Sequence, residues 1–564
     1  MEYVYKHMDW SNVEVLGRNR LPVRPFYCGY PNKESARQGR REECSNYRLL
    51  NGQWKFAYYE SPFYVPDTCM EKEYDDREFG MMPVPGHWQL NGYDYPHYND
   101  AIALFPILDG IQADNPTGVY RYTFQEEKQK DREYILRFDG VESAYHVWLN
   151  GTFIGYSQGP RNTAEFDVTE ALQDGENVLA VIVYKFSDGS YLENQDFIQL
   201  SGIMRDIYLY SKDSRAELRD FFVQTSFADR TDKNSDVTMK VDVDVRNLTD
   251  KEDTSGYTVD VKLKDMDGKV IGQDTISYDK LKALQGVTGA SDPNAADADG
   301  EKKVNLGDRK TATIEVKNPK KWFPDTPNLY MVTLELKDST GKVIEAEAEH
   351  VGFREIYKVN INDAEQEQMQ ITGQKIIFRG VNRHDTSLEN GSAVTNQEII
   401  DDLKLMKQYN VNAVRTSHYP NAKILYDLAD ELGIYVYAEA NVESHYGAYG
   451  DHKVPIPGGD SRWVTPVVDR NMNMLELLKN HASIIGWSYG NEATYTRCPL
   501  DNTYCFWAAA MAVLNRDPSR LRMYERESDG YYHRYQKERI HGAWRPEART
   551  LWTFTAHSIR KQRT

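Results

Sequence analysis

Glu492 closes a run of apolar and aromatic residues, SIIGWSYGNE, and is the best candidate in the chain for general acid and base. A carboxyl group held at a strand end among aromatic residues loses hydration, which raises its pKa, and a second carboxylate nearby raises it further. Such a group can hold a proton near neutral pH and pass it to a leaving oxygen. Other stretches end in the same way: His384 follows FRGVNR, His418 follows AVRTS, and Glu439, Glu443 and His445 follow IYVYA, while Asn491 adjoins Glu492. A hydrogen-bonded structural role explains any one of these histidines. It does not explain four successive ends, because separate strands would deliver all of them to one face. Glu443 and His445, two residues apart, could offer one oxygen and one nitrogen to a divalent ion, with Glu492 as a third ligand. A carboxylate-rich set suits magnesium or manganese better than zinc. A salt-bridged pair would have the same spacing, and Glu492 taken alone could be a turn or N-cap carboxylate.

The elements that must position these groups alternate. IIFRGVNRH, VNAVRTSHYP, IYVYAEANVESH, SIIGWSYGNE and SRLRMYE read as strands. EIIDDLKLMKQYN, AKILYDLADELG, VVDRNMNMLELLKNH and a segment over 506–515 read as helices. This βαβα order calls for parallel strands with helical crossovers, and its regular repeat favours a (β/α)8 TIM barrel, whose chemistry lies at the C-terminal strand ends. No Gly-rich phosphate fingerprint follows any of the strands, which argues against dinucleotide binding. Upstream, residues 46–211 alternate over short strands, as in a sandwich or β jelly roll. Residues 213–354 read as an immunoglobulin-like β-sandwich with one aperiodic Gly, Asp and Ala insertion at 283–303. The expected division is therefore 1–212, 213–354 and 355–564.

A chain of 564 residues is long enough for two to four domains. It is 40% hydrophobic and 27% charged, and its longest apolar run, VLAVIVY at 178–184, is far short of a bilayer span, so no membrane partner is expected. The N-terminus has neither a basic nor an apolar leader region, so a cytoplasmic location is the default expectation. Five scattered cysteines, Cys28, Cys44, Cys69, Cys498 and Cys505, suit reduced thiols better than a disulfide framework or a zinc site. A net charge of -18 disfavours a nucleic-acid partner.

RGVNRHD, NAVRTSHYPN, YAEANVESH and GWSYGNEA, in this order and spacing, resemble the barrel motifs of glycoside hydrolase family 2, in particular its large bacterial β-galactosidases. VPGHWQLNGYDYPHY, DNPTGVYRY, RFDGVESAYHVWLNG and FSDGSYLENQD resemble the sugar-binding domain of the same enzymes, and the likeness runs from about Asn46 to Glu525. The resemblance implies retaining hydrolysis of terminal β-D-galactosyl residues in a small β-galactoside, with Glu492 as acid and base. It implies a Mg2+ site at Glu443, His445 and Glu492, a galactosyl pocket at Asn115, Asp188, His384, His418 and Asn491, and Na+ at Asp188. It also implies a possible homo-oligomer. Asn115 and Asp188 lie far upstream, so the first domain must fold over the barrel mouth to supply them. The SDGSYLE segment favours a galactosidase over the family's glucuronidases and mannosidases.

The resemblance also implies a nucleophilic glutamate on the seventh barrel strand, in a segment like CEYAHAMGN, and no such segment is present. Five strands are counted as far as SRLRMYE. The last 39 residues, 526–564, hold nine Lys or Arg against four Asp or Glu and do not resemble the family. A frameshifted or truncated reading is expected ahead of a divergent tail or a basic interaction arm. An open five-stranded sheet is expected to leave the chain poorly stable. Glu439 and Glu525 are the other carboxylates at strand ends, and neither matches the family's nucleophile. The alternatives to a galactosidase lineage are an inactive galactoside-binding remnant and another activity of the family such as β-glucuronidase.

Overall fold

The computed structural model describes residues 8–25, 46–98, 114–249, 252–283, 285–287, 302–304, 307–361, 366–444, 456–457, 461–493 and 503–524. The readings made for His445, Glu525, the 526–564 tail, most of the 283–303 insertion, Cys28, Cys44 and Cys498 lie outside them. Cys69 is a buried free thiol, and Cys505 is buried as well. Among the described residues no helix is long and apolar enough to cross a membrane.

The first domain is a sandwich. A seven-stranded sheet centred on Gly175–Tyr184 and Thr117–Glu126 faces a four-stranded sheet built on Arg132–Phe138 and Ile207–Asp213. The run at 178–184 is apolar without interruption because both of its faces are buried. Leu179, Val181 and Val183 enter the sandwich core with Trp54 and Phe138. Ala180, Ile182 and Tyr184 point the other way, into a core shared with the third domain. Successive strand residues face opposite sides, so such a run belongs to a strand buried twice.

The second domain pairs a three-stranded sheet, Ala216–Phe227, Val237–Asn247 and Asp308–Val316, with a four-stranded one that includes Thr258–Lys264 and Tyr330–Lys337. Its core is an alternating set of Val, Leu and Ile from both inner faces.

An antiparallel hairpin, Ile356–Ile361 with Gln366–Ile371, precedes the barrel strands and belongs to neither the alternation nor the second domain. The strands β1 (Gly380–Arg383), β2 (Ala413–Thr416), β3 (Tyr435–Glu439), β4 (Ile484–Ser488) and β5 (Leu521–Met523) then form one all-parallel sheet in chain order. The helices α1 (Asn396–Gln408), α2 (Lys423–Leu432), α3 (Val464–Leu478) and α4 (Thr503–Arg516) are its crossovers. Helix α1 starts with a reciprocal Thr395–Glu398 capping box. Helix α2 stops at Gly433, whose φ of 68 suits a residue without Cβ. Every residue of β3 and β4 is buried, as parallel strands covered by helices require. Among the described residues the third domain is thus a partial TIM barrel of five strands.

Candidate active site

The C-terminal ends of the five strands lie together, and Glu439 at the end of β3 is their hub. Its carboxylate is fully buried and accepts four hydrogen bonds. Arg415 of β2 donates through Nε to Oε2 at 2.6 Å and through Nη2 to Oε1 at 2.9 Å. His418 Nδ1 lies 2.5 Å from Oε1, and Ser488 of β4 donates to Oε2 at 2.6 Å. Burial alone would raise the Glu439 pKa, but Arg415 and His418 hold it down at about 2. A carboxylate has about four acceptor positions, and all of these are taken. Glu439 is therefore an anchor and cannot attack a sugar carbon.

The hub orients its neighbours. Arg415 Nη2 also donates to Asn491 Oδ1 at 2.8 Å, which fixes the Asn491 amide so that its Nδ2 donates to Glu443 Oε1 at 2.8 Å. Burial lowers the pKa of His418 despite the Glu439 carboxylate, so the ring is neutral, with its proton on Nδ1 and Nε2 left as an acceptor. His384 meets His418 edge to face, with ring centroids 5.2 Å apart. Burial, with His418 and Arg161 nearby, lowers the His384 pKa to about 4. Phe197 of the first domain and Tyr419 flank the His384 ring, and Arg161 lies 4.2 Å over Tyr419.

Glu492 follows β4 through a forced turn. Gly490 has φ 146, and a Cβ there would lie 2.5 Å from the Val442 carbonyl oxygen. Glu492 itself has φ 27, an uncommon conformation for a residue with a side chain. The turn leaves Asn491 buried and Glu492 half-buried at the mouth. The charge of Glu492 acts on both His418 and Glu443. Burial, Glu439 and Glu492 together push the Glu443 pKa well above the ordinary carboxylate range.

The first domain reaches this mouth along residues 187–195. Ser187 caps a short 3-10 helix, Asp188–Leu192. Glu193 then pairs in parallel with Glu443, which pairs in parallel with Asn491. Glu443 N donates to Leu192 O at 2.7 Å, and Asn194 N donates to Glu443 O at 3.1 Å. Two side-chain contacts lock the segment: Arg470 of α3 donates to Glu193 at 2.5 Å, and Gln195 donates to Asn441 at 2.9 Å. The expected covering of the mouth by the first domain is therefore a backbone junction.

Asp188 is buried, with Oδ2 accepting from Gln158 at 3.3 Å and Oδ1 without a hydrogen-bond partner among the described residues. Burial pushes its pKa up to about 7. A buried carboxylate oxygen of this kind fits a monovalent cation. Asn115 is buried behind the site. Its amide donates to Phe186 O and accepts from Phe186 N, both at 2.9 Å, so it fixes the backbone leading into Asp188. The charges of Glu439 and Glu492 act on Glu443, and a divalent cation nearby would relieve that repulsion. Of the magnesium ligands expected, His445 lies outside the described residues, and among those residues no group of three or more His, Cys, Asp or Glu could hold a metal.

Spacing alone brought together His384, His418, Glu439, Glu443, Asn491 and Glu492. It missed Arg415, Glu193, Arg470 and Phe197. The first two lie inside motifs already quoted, NAVRTSHYPN and SYLENQD, but their partners are set by strand register and by contacts across domains.

Residues 47–213 match the sugar binding domain of glycosyl hydrolases family 2, residues 216–354 match a further domain of that family, and residues 359–551 match its TIM barrel domain. The chain is 36% identical over 509 residues to a β-galactosidase of Priestia megaterium, covering 86% of this chain and 45% of that protein. It is 37% identical over 494 residues to a β-galactosidase of Psychromonas ingrahamii, covering 87% and 44%. The chain thus spans under half the length of these curated relatives. Among solved structures it resembles a Bacteroides uniformis β-glucuronidase, with a TM-score of 0.66 at 20% identity over 85% of this chain and 52% of that one. A putative β-galactosidase from Bacteroides fragilis gives a TM-score of 0.65 at 19% identity, over 85% and 63%. At such identities these two likenesses concern the fold.

Proposed function

The chain belongs to family 2 of the glycosyl hydrolases, and from that membership we propose that it binds the terminal β-D-galactosyl group of a β-galactoside and holds the acid and base half of a retaining hydrolysis. The observation that carries this reading is the junction at Glu443, where a strand segment of the sugar-binding domain and the Asn491–Glu492 turn meet on either side of one residue. In this reading the junction lets Asp188, His418, Asn491 and Glu492 serve one pocket.

In this reading Glu492 protonates the leaving glycosidic oxygen and later takes the proton from the attacking water. His418 Nε2, an acceptor, and the Asn491 amide orient sugar hydroxyls. Asp188 and His384 complete the pocket, and Asn115 acts through the backbone before Asp188. Glu443, His445 and Glu492 would hold a magnesium ion, which when bound offsets the carboxylate charge around the acid, and Asp188 would hold sodium. Retaining hydrolysis needs a second carboxylate about 5–5.5 Å from the first. Glu439 is excluded by its four hydrogen bonds, and no nucleophile is assigned.

Calorimetry of the purified 564-residue chain with galactose, lactose and glucuronic acid, alongside a nitrophenyl β-galactoside assay, tests this. The expected result is binding of galactose and lactose without hydrolysis. Preference for glucuronic acid, or binding of none of the three, would overturn the substrate class. Hydrolysis at the rate of a full-length relative would overturn the division of the catalytic pair.

A further inference from the structure

Arg161 of the first domain follows the strand Thr152–Gln158, is 1% exposed, and places its charge against His384 of the third domain. Its guanidinium carbon sits 4.2 Å over the Tyr419 ring and 5.8 Å from the Phe197 ring. Those two rings flank His384, with centroids 6.0 and 5.9 Å from its own. An ion pair would be the simplest reason for a buried arginine, but the pair here is loose. Arg161 Nη2 and Glu142 Oε2 stand 3.6 Å apart, both are buried, and neither has a hydrogen-bond partner among the described residues. Burial pushes the Glu142 pKa up to about 7, so near neutral pH this acid carries only part of its charge. Arg161 Nη1 donates to Met204 Sδ at 3.0 Å, a weak acceptor. The face of Tyr419 is thus the best-formed seat of the cation.

Tyr419 passes this placement on to His384. Its hydroxyl lies 3.4 Å from His384 Nδ1, its one hydrogen-bond partner among the described residues, and the Asp385 backbone N–H faces the hydroxyl oxygen. With a donor facing its oxygen, the hydroxyl gives its own proton to Nδ1, which leaves the imidazole proton on Nε2. His418 is the reverse, donating from Nδ1 to Glu439 and accepting at Nε2. The two rings therefore offer sugar hydroxyls one donor and one acceptor. Burial, His418 and Arg161 keep His384 from taking a second proton, while Glu439 and Asp385 favour it. Both acids are engaged elsewhere, Glu439 with Arg415 at 2.6 Å and Asp385 with Arg383 at 2.5 Å and Arg205 at 3.2 Å.

We propose that Arg161 is a positioning residue of the galactosyl pocket, which through the Tyr419 ring holds His384 as a donor from Nε2 opposite the acceptor of His418. The inference rests on reading this mouth as the galactosyl pocket, and its first test needs no sugar.

Nitrogen-15 NMR of histidine-labelled chain distinguishes the tautomers, with His384→Gln and His418→Gln assigning the two rings. At pH 7 the parent is expected to carry the proton on Nε2 of His384 and on Nδ1 of His418. Arg161→Met is expected to leave His418 unchanged and to turn His384 into a mixture of tautomers. It should also raise the His384 titration midpoint from about 4 toward the free value of about 6.5. Tyr419→Phe keeps the ring under Arg161 and removes the hydroxyl, so the tautomer is released while the midpoint stays low. Should Arg161→Met fail to accumulate, Arg161→Lys keeps the charge and loses the planar stack, and is expected to release the tautomer in the same way. Galactose affinity measured by calorimetry at pH 7 is expected to fall about tenfold in Arg161→Met. A His384 proton on Nδ1 in the parent, unmoved His384 signals in the Arg161 variants, or unchanged galactose affinity in Arg161→Met would overturn the proposal. Absence of galactose binding by the parent would overturn the reading of the pocket, and the histidine signals would still decide whether Arg161 sets the ring.

Discussion

Arg415 and Glu439, on adjacent parallel strands, form a two-point ion pair with contacts of 2.6 and 2.9 Å, and both side chains are buried. The pair is central to the site because Arg415 also holds Asn491 and Glu439 also holds His418. Glu439→Gln keeps the shape and removes the charge, leaving Arg415 buried without its counter-ion. The expected loss of stability is about 3 kcal/mol, read from urea unfolding, with weaker galactose binding in the folded fraction.

The same carboxylate makes a pH prediction. Its pKa is about 2 in the fold and about 4.3 in an unfolded chain. A depressed carboxylate pKa contributes stability that is fully present above the unfolded value and is lost as pH falls through the folded one. The stability gap between the parent and Glu439→Gln is therefore expected to be constant above about pH 5 and to narrow steadily from there toward pH 2. Urea midpoints of the two proteins across that range measure it. A gap that stays constant down to pH 2 would count against the ion pair.

Glu193 and Arg470, 277 residues apart, meet at 2.5 Å with both side chains buried. They hold the first domain's strand segment beside Glu443. Glu193→Gln is expected to cost about 3 kcal/mol by stranding the Arg470 charge, and to weaken galactose binding by loosening the segment that carries Asp188. Adding Arg470→Met should recover part of the stability, because it removes the stranded buried charge. Recovery of stability without recovery of binding would show that the pair positions the segment as well as stabilising it.

The strand ends were legible in the sequence because a parallel sheet declares itself through alternating strand and helix patterns, and the side chain after each strand has one place to go. The fourth strand and its Glu492 were found in this way, as were His384 and His418. The role of Glu439 was not legible. A carboxylate after IYVYA looks equally suited to attack and to anchoring, and the difference lies in Ser488, level with it on β4, and in Arg415, which stands level with Tyr437 on β2 and reaches up to it. The apolar run at 178–184 was visible, but not that its second face is covered by another domain. The hairpin at 356–371 alternates like the preceding sandwich strands, and nothing local marks it as a separate element.

Magnesium gives a prediction that does not depend on turnover. Glu439, Glu443 and Glu492 crowd negative charge at one mouth, and a divalent cation would neutralise part of it. Magnesium added to metal-free chain is expected to raise the melting temperature by a few degrees, and Glu443→Gln should abolish that rise. An equal rise in the variant would place the ion elsewhere.

Gly490 sets where Asn491 and Glu492 stand. Its φ of 146 is one that residues with a Cβ rarely adopt, and a methyl group there would press on the Val442 carbonyl oxygen at 2.5 Å. That oxygen accepts from Asn491 N at 2.9 Å, so the backbone cannot retreat without breaking the bond that seats Asn491. Gly490→Ala therefore meets both strain and a clash, and the expected cost is about 2–3 kcal/mol in urea unfolding. The turn that relaxes to fit the methyl group moves Asn491 away from Arg415 and Glu443. Galactose affinity is expected to fall at least about tenfold, since 1.4 kcal/mol of lost contact suffices. Gly486→Ala is the matched control on the same strand: its added Cβ would meet the Tyr437 ring at 2.4 Å, toward the core behind the site. It is expected to destabilise the fold to a similar extent while leaving the affinity of the folded fraction nearly unchanged. Equal losses of affinity in the two variants would show that general instability, and not the placement of Asn491 and Glu492, accounts for the effect.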